Sequence, residues 1–405
     1  MLSTTTSAYV LIGLATSLVA AAPAGRFSTS TGISRTTSAP SYTWDTSFPT
    51  EVSPDGENFR YPLSNSFPTP SPDQIKDINQ AAGGTLSNLS PPAEISADGI
   101  TNLQFVAFNE LFEVAFFTDL LKNVTNNVEG YEVPEGFTRE FLIETLATVQ
   151  AQEELHALNA NNGLVKIAKV TPISPCEYVF PVTTFLDAVV LAQTFTDVTL
   201  GTLQDIITVF ANADDTGFVR GVAAALGNEG EQNGFFRLLQ GKRPSAQPFL
   251  TASARNLAFS ALNQNFVVEG SCPDINAGRI DLRIFEPLTL EQEVVEPRNQ
   301  LLTFSVEIKS SRAQGEGQSR AWTSAGGSTD GLRLVLVNGQ NKPVVSELEN
   351  VQIQDDRVTF QAPFNFEDDL LFGLTIAAVV KGDSFANITD VENATVFGPA
   401  LIEVL

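Results

Sequence analysis

Residues 101–124 read TNLQFVAFNELFEVAFFTDLLKNV, an almost unbroken apolar run interrupted by Glu110, Glu113 and Asp119. The run is far too long for a strand and rich in helix formers, so it predicts a buried helix, A. A carboxylate inside such a helix is costly unless it is paired or bound to a metal. Glu110 and Glu113 lie one turn apart, and the sequence does not choose which of them points inward.

Three further helical segments follow. Helix B lies within 132–163, with Thr138 as its cap and NANNG as its end; helix C runs through 182–212. Asp214 or Asp215 is placed to cap helix D, 216–241, and a shorter fifth helix covers 252–266. Long helices joined mostly by short connections predict a four-helix bundle over 73–270, with the long B–C connection crossing the bundle end. From 278 the pattern changes to short runs rich in Val, Leu, Ile, Phe and Thr: RIDLRIF, LLTFSVEIKS, GLRLVLVNG, PVVSELENVQI, DRVTFQA and LLFGLTIAAVVKGD. These predict a β-sandwich over 278–405. The fold class is therefore multidomain, α then β.

The N-terminal apolar run ending in small residues predicts a signal peptide over 1–22, and the Ser/Thr/Pro-rich stretch 23–72 predicts a disordered linker. A net charge of −24 argues against nucleic acid and anionic membrane surfaces. No membrane span is expected after signal removal, and the oligomeric state is not legible. The expected location is extracellular, secreted or in the cell wall. Cys176 and Cys272, the two cysteines, then predict one disulfide, the alternative being two buried thiols. Sequons stand at Asn88, Asn123, Asn387 and Asn393, the first weakened by a following proline.

Helix B contains AQEELHALN, and with it the chain's one histidine. Glu153 and His156 are three residues apart, so they share a helix face. Di-metal carboxylate bundles take such a Glu-x-x-His pair from each of two helices and one glutamate from each of the other two. Helix A offers Glu110 and helix B the full pair. Helix D offers Glu229, with Gln232 where a second histidine would stand. The middle of helix C offers Gln193 and Asp197. Glu154 and Glu231 are expected to face solvent. A polar cluster of Glu110, Glu153, His156, Glu229 and Gln232 could also satisfy itself by hydrogen bonds without an ion.

LQFVAFNELFEVAFF, QAQEELHALN, TLGTL and LGNEGEQNGFF, in this order, resemble the ferritin-like family that includes plant desiccation-related proteins. They are more similar still to its fungal branch of stress-response or late-sexual-development proteins. The resemblance covers about residues 75–270. It implies Glu110, Glu153, His156 and Glu229 as metal ligands, with Phe117 where metal-binding relatives often have tyrosine. Gln232 and Gln193 depart from the family's histidine and glutamate, and amides bind transition metals weakly. The expectation is a degenerate di-metal site in a non-enzymatic, stress- or development-associated extracellular protein without a cofactor. The alternative is an active metal-binding protein or oxidase holding iron or manganese at a reduced site. A third reading is a β-domain that binds wall polysaccharide, for which only Trp322 and several Phe residues offer aromatic surface. No nucleophile elbow, phosphate loop or zinc spacing occurs.

Overall fold

The computed structural model describes residues 58–88, 90–292, 294–308 and 320–404. The expected signal peptide and the first part of the expected linker lie outside them. Helices dominate the first part: α1 (Pro72–Ala81), α2 (Ala97–Thr125), α3 (Arg139–Gly163), α4 (Phe185–Asn212), α5 (Thr216–Leu239), α6 (Arg255–Asn265) and the single turn α7 (Pro273–Asn276). Two antiparallel four-stranded sheets follow. One has the order β1 (Thr289–Leu290), β2 (Gln300–Glu307), β6 (Arg357–Phe364), β5 (Glu349–Gln354). The other has the order β4 (Val344–Ser346), β3 (Leu332–Asn338), β7 (Gly373–Lys381), β8 (Thr395–Val404). Among the described residues, no helix is long and apolar enough to cross a membrane.

The long helices begin where polar caps stand. Ser96, Thr138 and Thr184 each accept a hydrogen bond from the backbone N–H three residues on, which satisfies one of the orphan donors of a first turn. Asp215 occupies the cap position of α5 but does not cap it. Its carboxylate instead accepts from the N–H and hydroxyl of Ser96, tying the start of α5 to the start of α2. The helix α2 packs along α3 and α4 along α5, with α2 also against α4. A cluster of phenylalanines fills the space between them: Phe112, Phe116 and Phe117 of α2 meet Phe195 of α4, and Phe117 stacks on Phe236 of α5.

The linker expected to reach residue 72 ends earlier. Phe67 is fully buried, Tyr61 Oη donates to Leu111 O at 2.6 Å, and Phe59 pairs as an isolated bridge with Tyr178. Three aromatic anchors were hidden in a background of Ser and Pro. Tyr178 also bridges to Val267, so the long α3–α4 connection is held between the N-terminal segment and the chain after α6. The Cys176–Cys272 disulfide closes the same region across 96 residues. Such a loop closure is worth about 4–5 kcal/mol in the chain-entropy account.

In the β part, one apolar cluster joins both sheets, with Phe304 and Phe360 from the first and Leu334, Val379 and Ile402 from the second. RIDLRIF forms no strand: it runs as coil that buries Ile280 and Phe285. PVVSELENVQI splits into β4 and β5, which belong to different sheets. The C-terminal β8 was not among the expected strands; Gly398 and Pro399 interrupt the run, yet eight of its ten residues are buried. Trp322 is buried, so its ring is no platform for a polysaccharide. Asn88, Asn387 and Asn393 are exposed. Asn123 is buried in α2 and its amide donates to Asp119, so a glycan there is incompatible with the packed helix.

Candidate metal centre

Glu110 of α2, Glu153 and His156 of α3 and Glu229 of α5 each offer one ligand atom, and these atoms lie within 4.8 Å of one another. The three carboxylates are buried; the His156 side chain is 19% exposed. His156 Nδ1 lies 2.8 Å from Glu153 Oε2, 3.5 Å from Glu110 Oε2 and 3.7 Å from Glu229 Oε1. The i, i+3 spacing on α3 places the imidazole over Glu153, and the other two helices supply the facing carboxylates.

Gln232 reaches the same centre, but through Glu153. Its Nε2 donates to Glu153 Oε1 at 2.6 Å and to Gln152 Oε1 at 3.0 Å. That occupies one oxygen of Glu153 and leaves the other to His156. The sequence does not choose between Glu110 and Glu113, and the structure buries both. Glu113 Oε1 accepts from Asn109 Nδ2 at 2.8 Å and Thr199 Oγ1 at 3.0 Å. Thr199, a neutral hydroxyl, is thus what α4 supplies to Glu113. Nothing in the sequence pattern marks Thr199, because its role depends on the helix packed opposite.

Two expectations are corrected. Gln193 is not part of the centre. It donates to Asp197 and Glu403, and accepts from Gln240 and Lys242, in a separate polar cluster where α4 and α5 meet β8. Glu154 does not face solvent: it is 1% exposed and accepts from Asn65 and Gln150. The chain before α1, expected to be disordered, covers it. Burial pushes its carboxyl up to about 7.

The electrostatics of the centre follow from too many acids in too little water. Burial raises Glu110 well above the usual carboxylate range, against the pull of His156. Burial also raises Glu113, and the charges of Glu229 and Glu153 add to it. Glu229 is pushed up to about 8, by burial first and then by Glu153. Burial alone would lower His156, but the charges of Glu153 and Glu110 outweigh it and hold the imidazole well above its usual value. Among the described residues, Glu110 Oε2, Glu113 Oε2, both oxygens of Glu229 and Oε1 of Gln232 accept no hydrogen bond. Buried acceptors are nearly always satisfied, and a single imidazole N–H cannot serve them all.

Three carboxylates and one imidazole make a hard oxygen set with one nitrogen. That set suits iron, manganese or zinc; calcium and magnesium sites are built from oxygen alone. The orphaned oxygens fit a cation, because His156, the one positive group facing them among the described residues, lies 3.5 Å from Glu110 Oε2 and 3.7 Å from Glu229 Oε1 and cannot serve all three carboxylates. Compared with known proteins, the chain matches no protein-family model and no curated protein.

Proposed function

We propose that this chain binds one divalent transition-metal ion through Glu110, Glu153, His156 and Glu229, with Gln232 orienting Glu153. The observation that carries the reading is the convergence of four ligand atoms within 4.8 Å in a buried site where Glu110 Oε2 and both Glu229 oxygens lack donors. In the same reading α2–α5 form a ferritin-like bundle and the two sheets a β-sandwich, supported by the helix pairing and by the apolar cluster common to both sheets. The site is reduced relative to a di-metal template, because no carboxylate or imidazole of α4 joins the four converging ligands. A metal-retaining rather than catalytic role in an extracellular, stress- or development-associated setting belongs to this proposal. Its supports are the order of the four sequence segments and the Cys176–Cys272 disulfide.

The test is metal content. Purified protein is stripped with chelator, incubated separately with manganese, ferrous iron and zinc, and desalted. About one ion per chain is expected with at least one of the three, and none in His156→Ala or Glu229→Gln. Metal-free protein after all three incubations, with native circular dichroism, would sink the proposal.

A further inference from the structure

A second feature, remote in chemistry from the acidic centre, is a cleft of about 360 Å³ between the 243–249 segment, the β3–β4 turn and Leu370. In a chain of net charge −24, no carboxylate among the described residues lines it. Its lining is rich in amides (Gln247, Asn338, Gln340 and Asn341), with one cation, Arg243. Phe249 stands on its rim 70% exposed and Leu370 64% exposed. Leu370 holds φ +52°, a left-handed conformation that a leucine rarely adopts. That conformation is the left-handed C-cap of the single helical turn Phe366–Asp369.

The walls are preorganised. Gly339 N–H donates to Thr251 Oγ1 at 2.9 Å, Ala252 N–H donates to Gly339 O at 3.0 Å, and Gln247 Nε2 donates to Thr251 Oγ1 at 2.9 Å. These bonds pin the segment carrying Phe249 to the turn carrying Asn341. On the lining, Asn338 is 4% exposed; its Nδ2 donates to Phe372 O, Leu374 O and Thr375 Oγ1, while its Oδ1 accepts nothing.

We propose that this cleft binds a neutral glycan. One pyranose would lie with its C–H face against the Phe249 ring and Leu370, its hydroxyls meeting the amides of Gln247 and Asn341. Amide side chains present a donor and an acceptor side by side, which matches vicinal hydroxyls that both give and take hydrogen bonds. An exposed aromatic ring supplies apolar area at low entropic cost. With no carboxylate among the described lining residues, the cleft offers no partner for a cationic ligand. An extended peptide fits less well, because residues 338–341 are a turn and offer no free strand edge to join. The volume lies in the range of small-ligand sites.

The full-length protein is titrated calorimetrically with hexasaccharides of β-1,3-linked glucose, β-1,4-linked glucose and β-1,4-linked N-acetylglucosamine. Binding of at least one, with a dissociation constant between micromolar and millimolar, is expected. It weakens about tenfold or more in Phe249→Ala and in Asn341→Ala, and survives in Phe249→Tyr. Both positions are exposed, so unchanged melting temperatures are the fold control. No binding to any of the three at millimolar concentration overturns the proposal, as does binding unchanged in Phe249→Ala. Capture of an extended peptide at this cleft, lost in Phe249→Ala while the glycans fail, overturns it in favour of a peptide site.

Discussion

Glu229 has the most to gain from a metal. Neither of its oxygens accepts a hydrogen bond, and its carboxyl is pushed up to about 8. In metal-free protein at pH 8, holding that group half-ionised in a buried site opposes folding. Glu229→Gln is therefore expected to raise the stability of the metal-free form by more than about 1 kcal/mol, one pKa unit being worth about 1.4 kcal/mol. The same substitution abolishes metal binding. Urea melts of stripped wild type and variant at pH 8 check the first outcome. A variant less stable than wild type would show that Glu229 makes favourable interactions without an ion. Gln232→Leu is expected to leave the fold intact and to weaken metal affinity about 10- to 100-fold, the usual effect of losing a partner that orients a ligand. Equilibrium dialysis with the preferred ion measures it.

At the scale of elements, α4 is held unusually close to the chain that follows α5. A Cβ built on Gly201 would lie 2.2 Å from Thr251 O and 2.9 Å from Ser253 N, both backbone atoms that cannot step aside. Gly201→Ala is therefore expected to destabilise the protein by about 1–3 kcal/mol or more, as overpacking does, with chemical denaturation as the measurement. TLGTL was legible as part of a helix, but the reason for its glycine was not, because the close approach comes from residues about 50 positions away. The helix caps Thr138, Ser96 and Thr184 illustrate the opposite case. They act within three residues, so local sequence carries the whole signal. Asp215 stood at the right place for a cap and serves a different helix, which no local pattern could reveal.

The whole molecule concentrates buried acids. Besides Glu110, Glu113 and Glu229, burial raises Asp197 and Glu403, which meet where the helices touch β8. Each of these carboxyls holds its proton to higher pH in the folded chain than in the unfolded one. Between the unfolded and folded values the native state binds more protons, so stability falls as pH rises. His156, also raised, contributes stability that is full below its unfolded value of about 6.5 and is lost as pH climbs through its folded value. All these groups act in one direction. Metal-free protein is expected to melt at a lower temperature at pH 8 than at pH 5, and metal binding to release protons and to restore the loss at pH 8. Scanning calorimetry with and without the ion tests both; a melting temperature that rises with pH in the metal-free form contradicts the reading. Replacing Cys176 and Cys272 together by alanine is expected to cost about 4 kcal/mol of stability.

The sequence by itself determined the four long helices and the change from helix to strand, but not every strand. Apolar runs, caps and the change to short β-branched segments mark four long helices and then strands, because those signals act over a few residues. It also determined the Glu153–His156 pair, since three residues of helix set a common face. Tertiary structure alone decided which carboxylates join that pair. Glu110 and Glu113 read alike in one apolar helix; the packing of α3 and α5 places Glu110 among the ligands, while Glu113 is taken by Thr199 of α4 and by Asn109 of its own helix. Gln193 and Glu154 show the same limit. Each was assigned by its neighbours in sequence, and each is occupied by residues far along the chain, Glu403 for one and Asn65 for the other. Burial and charge pairing depend on distance in space, and one chain's periodicity carries no information about which partner closes that distance.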